Sequence, residues 1–517
     1  MSLQELHINN FKFFREVDPD SPLLKINGRH VLIYGENGSG KSTIYWALYN
    51  LLESSFKQSD SEIVKYFDKR KKESLVNIDT PSGQKASLKA VVNVAGVNKE
   101  YKVSSNDLSI RIDADVKESN MASDFINYRV LFRLHDLKHS ESMDLFPWFY
   151  EEVLPYVKKN NADPCLDLYR EIKNGPAKVL DINGNQFFPT ADLRTDSDLG
   201  QRQNYLQYKN YKTKVGEWNT WLKGFLERTV LRANQLLQSS FGYNFQINIV
   251  YEKALFKVER DSFEFKQPEI ELKIIRYNGT ITNKVKKPHT FLNEAKWSAI
   301  GLSIRLAILD AKLVSAELKC LVIDDMLLSL DMKHRHNVID LLLSPAYSQK
   351  FQIILMTHDR YFYELAKRKI NVSNQTAGWY KFLMYEETIG GQKKPLVLEA
   401  RTNLEKAISF YKDKEFAASA NHLRKASEDF VTQFVPLIEQ YNVNYRRLDL
   451  SNLLTKARME AISQGWPPYI ITNLDLMRQN LFNPMSHHDI STPIFQNELN
   501  DGIELMNDIK TRTGFNL

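Results

Sequence analysis

The residues with the clearest capacity for chemistry form the stretch GENGSGKST, residues 35–43, directly after the apolar run Val31-Leu32-Ile33-Tyr34. Gly35, Gly40, Lys41 and Ser42 match the spacing G-x-x-x-x-G-K-[ST], between a strand and a helix. Glycines at those places let backbone N–H groups close around a phosphate that a Cβ would hold off. Glu36, Asn37, Gly38, Ser39, Gly40, Lys41, Ser42 and Thr43 are therefore expected to contact the nucleotide, with Lys41 on the β/γ-phosphates and the Ser42 hydroxyl on Mg²⁺. The alternative is a Gly/Ser turn that happens to contain a lysine.

A second group lies far downstream. Four apolar residues, Cys320-Leu321-Val322-Ile323, lead into Asp324 and Asp325, which places two carboxylates at the C-terminal end of a buried strand. Beside a phosphate loop, Asp324 is the Mg²⁺ partner and Asp325 the base that orients an attacking water. His358 ends the next apolar strand and is expected to face the γ-phosphate.

Positioning these groups needs a parallel α/β core, and the chain reads that way. Loosely alternating segments in residues 3–33 are followed by the phosphate-loop helix, then by strand-like SLVNI, ASLKAVVNV and KEYKVS, together expected as a mixed sheet around the site. The region from about 140 to 245 turns helical; Trp218, Leu222, Phe225 and Thr229 recur on one helical face. Tyr205, Tyr208 and Tyr211, interleaved with Lys209, Lys212 and Lys214, admit base stacking but fit a protein interface better. A helix capped by Asn293 buries Ala299, Leu302, Leu306 and Leu309, and helix–strand alternation continues to about residue 400. Beyond it the sequence is helical.

Bulk composition fits a multidomain soluble protein, with 517 residues, 43% hydrophobic and 26% charged. The N-terminal stretch lacks the apolar core of a signal peptide and no window is long enough to span a membrane, so a cytoplasmic location without membrane contact is expected. Cys165 and Cys320, the only cysteines, agree with a reducing compartment. A net charge of +6 permits nucleic-acid contact without arguing for it. The basic run Lys69-Arg70-Lys71-Lys72 reads as a solvated loop.

The order HINNFKFF, GENGSGKST, a helical insertion, FLNEAKWSAIGLSIRLA, CLVIDDMLLSLD and IILMTHD resembles the ABC-type ATPases of the SMC/RecF/OLD group. The resemblance implies an ATPase head assembled from both ends of the chain, with ATP and Mg²⁺ as cofactors, and two heads that pair around the nucleotides. It places LNEAK, 292–296, at the ABC signature, so that Asn293 and Lys296 contact the nucleotide of the opposite subunit; it makes SLD, 329–331, the D-loop and His358 the switch histidine. Departures are visible. Asn293, Glu294, Ala295 and Lys296 stand where serine, two glycines and glutamine are usual, Asp325 replaces a glutamate, and Lys12 stands where arginine is frequent. No glutamine marks the Q-loop near 125–139, leaving His135 or Asp136, and hydrolysis that is slow or used as a switch is expected.

The short insertion and LNEAK are similar to antiphage-defence ATPases such as the Septu ATPase family (PtuA), including retron-associated versions. That likeness implies a separate partner nuclease of HNH or TOPRIM type, since neither constellation occurs here. The C-terminal helices resemble HEPN domains, but the R-x-x-x-x-H positions hold Phe482 and His487, with Arg478 one turn upstream. A docking scaffold is preferred to a ribonuclease there. The expected layout is an ATPase head with its N-terminal lobe at 1–140, a helical insertion at 141–245, the C-terminal lobe at 246–400 and an all-α HEPN-like domain at 401–517. Sensing for, or regulating, the nuclease is the preferred function; a RecF-like DNA repair ATPase and an ATP-gated HEPN ribonuclease are the alternatives.

Overall fold

The phosphate-loop strand His30–Gly35 sits third in a six-stranded sheet ordered Gln392–Glu399, Trp379–Ile389, His30–Gly35, Gln352–Thr357, Cys320–Asp324, Asp124–Asn127. The last four of these run parallel. The apolar runs of the first three of those four are what a sheet covered on both faces requires, and Leu32, Val322 and Ile354 are each 0% exposed. The computed structural model describes the chain except residues 1, 16–21, 134–143, 160–163, 181–183, 192–198, 283–284, 286, 313–315, 317, 327–331, 374, 390, 443–445, 483–495 and 516. SLD at 329–331, His135, Asp136 and His487 lie outside the described residues.

The phosphate-loop helix, Lys41–Glu53, buries Ile44, Leu48 and Leu51. Asn293 caps the helix Glu294–Ala311, its Oδ1 accepting from Lys296 N at 3.2 Å. Every residue from Trp297 to Leu309 is buried, including the four at the expected inward spacing. A helix buried all round lies inside the domain rather than on it.

The N-terminal strands are not mixed with this sheet. Leu24–Lys25, Ser2–Asn9, Ser87–Val94 and Val97–Ser104 make a separate antiparallel sheet in that order. SLVNI contributes only an isolated bridge from Val76 to Phe11, with Ile78 left 83% exposed. A buried glutamine joins this lobe to the core: Gln352 Oε1 accepts from Leu3 N at 2.7 Å, while its Nε2 donates to Leu3 O and Arg29 O.

In the insertion, a 41-residue helix, Leu199–Ser239, buries Trp218, Leu222, Phe225 and Thr229 as the periodicity requires. Two of the three tyrosines on this helix, Tyr208 and Tyr211, pack against the protein itself. Tyr211 is buried, donates to Ile172 O at 2.6 Å and meets Phe256 edge-on at 4.9 Å; Tyr208 packs on the same ring. The partner rings, Phe256 and Phe263, come from a small hairpin, Leu255–Val258 with Phe263–Lys266.

The chain divides into two compact units, Met1–Tyr363 with Met384–Val397, and Glu364–Leu383 with Leu398–Leu517. In the second, the helices Asn403–Lys412, Phe416–Phe434, Leu450–Ser463, Tyr469–Met477 and Gln496–Thr513 enclose a core of Leu423, Phe430, Leu453, Leu474 and Met506. A reciprocal capping box between Thr402 and Glu405 starts the first of them. Among the described residues no helix is long and apolar enough to cross a membrane.

Candidate nucleotide site

The phosphate loop is shaped by its glycines. Gly40 precedes the helix at φ 100°, and an added Cβ would lie 3.0 Å from Phe13. At Gly35 a Cβ would sit 2.4 Å from Ser39 Oγ and 2.9 Å from Met384 Cβ. No side chain caps the helix, so its first N–H groups and its positive end are directed at the loop. Lys41 is buried, and its ammonium donates to Gly35 O at 2.6 Å and Glu36 O at 3.1 Å. Burial pulls its pKa below the usual lysine value against the opposing fields of Asp325 and Asp324.

Parallel pairing brings the distant carboxylates to this loop. Lys41 Nζ lies 3.8 Å from Asp325 Oδ2. The other oxygen of Asp325 accepts from the backbone N–H of His358 at 2.8 Å, and His358 Nδ1 stands 2.9 Å from it. That ring contact is short but makes no hydrogen bond. Asp325 itself has φ 46°, a left-handed conformation that Asp tolerates better than most residues. One carboxylate thus touches the loop lysine and the histidine at once.

Asp324 is 6% exposed. Burial pushes its carboxyl up to about 6, while a hydrogen bond from Ser42 opposes the shift. Its Oδ1 has no hydrogen-bond partner among the described residues. An orphaned buried carboxylate oxygen beside a serine hydroxyl suits Mg²⁺, which takes few protein ligands and completes its shell with phosphate and water. These two residues are the ones that would hold it.

The residues of LNEAK are held by their own head. Besides Asn293's capping role, Lys296 Nζ donates to the Tyr277 hydroxyl at 3.1 Å and lies 5.3 Å over that ring. The Glu294 carboxylate accepts from Tyr128 OH at 3.0 Å. Lys12 adopts φ 50°, donates its N–H to Leu75 O and faces Trp46 at 5.7 Å. Lys69 bonds Ile78 O and Thr80 O, and Arg70 pairs with Asp68, so these two members of the basic run serve their own loop.

Two further residues at the site were not evident from sequence. Asn127 is in register with Asp324 on the neighbouring strand, at the place where a Q-loop would start. Arg335 pairs with Asp359, whose Oδ1 accepts from Phe362 N and so starts the helix behind His358. Only strand register and helix docking reveal them.

The RecF/RecN/SMC N-terminal domain matches this chain over residues 2–381. The chain belongs to that family. RecF/RecN/SMC proteins are ABC-type ATPases that hydrolyse ATP, and the six-stranded core with its phosphate loop is that head fold. Among solved structures, the SMC head domain from Thermotoga maritima is 13% identical, covers 77% of this chain and 100% of its own, and gives a TM-score of 0.33. A Pyrococcus furiosus Smc head with an extended coiled coil, bound to the C-terminal domain of ScpA, is 13% identical over 80% and 99%, at 0.41. The recombination mediator RecF with ATP is 13% identical over 76% and 97%, at 0.39. No curated protein matches this RecF/RecN/SMC family member.

Proposed function

We propose that this RecF/RecN/SMC-family ATPase uses ATP to pair two heads and thereby regulates a separate nuclease in antiphage defence. The observation that carries the ATP part is the Asp325 carboxylate, within 3.8 Å of Lys41 Nζ and 2.9 Å of His358 Nδ1. Lys41 neutralises charge on the β/γ-phosphates, the loop residues Glu36 to Thr43 enclose them, and Ser42 with Asp324 would hold Mg²⁺, which would offset phosphate charge. Asp325 takes the proton of the attacking water, and His358 orients the γ-phosphate beside it. Asn293 and Lys296 serve the nucleotide of the second head, which requires Lys296 to leave Tyr277 when the heads close. ATP touched by both heads favours the closed pair by its differential affinity for that state.

The layout we infer is the head lobes at 1–140 and 246–400, the insertion at 141–245 and a HEPN-like scaffold at 401–517. The short insertion and the LNEAK signature support the defence reading, with an HNH or TOPRIM nuclease as the partner. For the RecF-like DNA repair alternative, stacking would fall to Tyr205, because Tyr208 and Tyr211 pack on Phe256. The ribonuclease alternative loses its substitute cation, because Arg478 Nε is held by Asp475 Oδ1 at 2.8 Å.

The test is sedimentation of the Asp325→Asn chain with Mg²⁺ and ATP. Pairing that needs ATP and disappears in Lys41→Ala and Lys296→Glu supports the proposal. A monomer at saturating ATP, or pairing indifferent to Lys41→Ala, rejects it.

A further inference from the structure

A cavity of about 240 Å³ separates the edge strand Asp124–Asn127 from the phosphate-loop helix and the helix Glu294–Ala311. One wall is aromatic. The Tyr45 and Tyr49 rings lie parallel, with centroids 6.4 Å apart, and Phe125 stands edge-on to both at 5.6 and 5.4 Å. The opposite side is cationic. Arg305 is committed to Asp124 and to the Glu152 carbonyl, whereas Lys312 donates only to Ser123 O, at 2.8 Å, with the Tyr156 ring 5.6 Å away.

An ammonium has three donors, so two on Lys312 have no protein acceptor among the described residues. The Tyr45 side chain is 3% exposed and feels Arg305 and Asp124, yet its hydroxyl makes no hydrogen bond to any described residue. Burial also lowers the Lys312 pKa to about 8, so the charge is held in a place that penalises it. Two neighbouring cations already have ion pairs, Arg133 with Glu151 and Glu152 and Arg305 with Asp124, while Lys312 feels the field of Asp124 without a carboxylate in salt-bridge contact among the described residues. A half-buried lysine ammonium and the hydroxyl of a buried tyrosine, facing an aromatic wall, suit a ligand that brings both an acceptor group and a flat apolar body.

Size narrows the class. A cavity of about 150 Å³ admits benzene, so this one has room for a single ring and one small anionic substituent, and a mononucleotide exceeds it. We propose that the cavity binds a single-ring aromatic carboxylate, with its oxygens on Lys312 and the Tyr45 hydroxyl and its ring against Tyr49 and Phe125. The ligand so placed joins the first turns of the phosphate-loop helix to the helix that carries LNEAK.

The experiment is calorimetric titration of the full chain with benzoate, with benzyl alcohol as the neutral ring and with AMP. Saturable benzoate binding is expected, weakened at least tenfold in Lys312→Met, severalfold in Tyr45→Phe and unchanged in Lys41→Ala. Tyr45→Phe removes one oxygen only, so it reports on the contact even where Lys312→Met alters folding. Benzyl alcohol binding as tightly as benzoate would make the site a plain apolar void and overturn the proposal. Absence of benzoate saturation at millimolar concentration, or unchanged affinity in both cavity variants, also overturns it. Displacement of benzoate by AMP from the Lys41→Ala chain rejects the single-ring limit.

Discussion

Asp124 and Arg305 lie 181 residues apart in sequence and form a buried ion pair, with side chains 6% and 7% exposed. Replacing Asp124 by asparagine keeps the shape and removes only the charge. The Arg305 Nε–Asp124 Oδ2 separation of 3.2 Å corresponds to roughly 5 kcal/mol of attraction at an effective dielectric of about 20. Glu152 Oε2, 3.6 Å from the same guanidinium, remains as a partial counter-charge. The loss should therefore fall at the low end of the ~3–5 kcal/mol typical of a broken buried pair, about 3 kcal/mol. Urea unfolding followed by tryptophan fluorescence reads this as a midpoint lowered by on the order of 1 M, for a slope near 3 kcal/mol/M. The Asp124→Leu/Arg305→Met double variant should recover most of the loss, since apolar replacement of a whole buried pair is close to neutral. Stability of Asp124→Asn within about 0.5 kcal/mol of the parent chain would refute the reasoning.

Other perturbations address the site and the half-buried Lys312. Gly40→Ala places a Cβ 3.0 Å from Phe13 at φ 100°, so a cost of about 1–3 kcal/mol and weaker ATP binding are expected by thermal melting and titration. Asp325→Asn should retain ATP while phosphate release falls about 10²–10⁴-fold in steady-state turnover. The Lys312 ammonium titrates near 8 when folded against about 10.4 when unfolded, so the unfolded chain holds more protons between those values. Stability at this residue is therefore lowest below pH 8 and rises by about 3 kcal/mol as pH approaches 10.4; Lys312→Met should abolish that rise and be more stable at pH 7 in parallel melts.

What could be seen in the sequence were patterns written within a few residues. The phosphate loop, the apolar run ending in Asp324 and Asp325, and the Asn293 cap each depend on local spacing, and the structure places all of them at strand ends or helix starts. Asn127 stayed hidden because its neighbour Asp324 is set by strand register, which FINYR does not encode. Tyr208 and Tyr211, beside three lysines, read as a stacking or interface surface, but their partner Phe256 arrives from a hairpin about 45 residues away. The Gln352 clasp was equally illegible: a glutamine in an apolar strand gives no sign of which backbone groups it will satisfy. Residues whose role is to answer a distant partner carry no mark of it in their own neighbourhood.

The sheet order has a consequence for how the protein is born. The strand His30–Gly35 has as its two neighbours Gln352–Thr357 and Trp379–Ile389, so it leaves the ribosome long before either exists. At about 5–20 residues per second that interval is on the order of tens of seconds. During it Val31, Leu32 and Ile33 belong to a strand with both edges open. The nascent chain must therefore carry an unfinished ATP site, and a prematurely terminated product would present two unpaired edges to any passing strand.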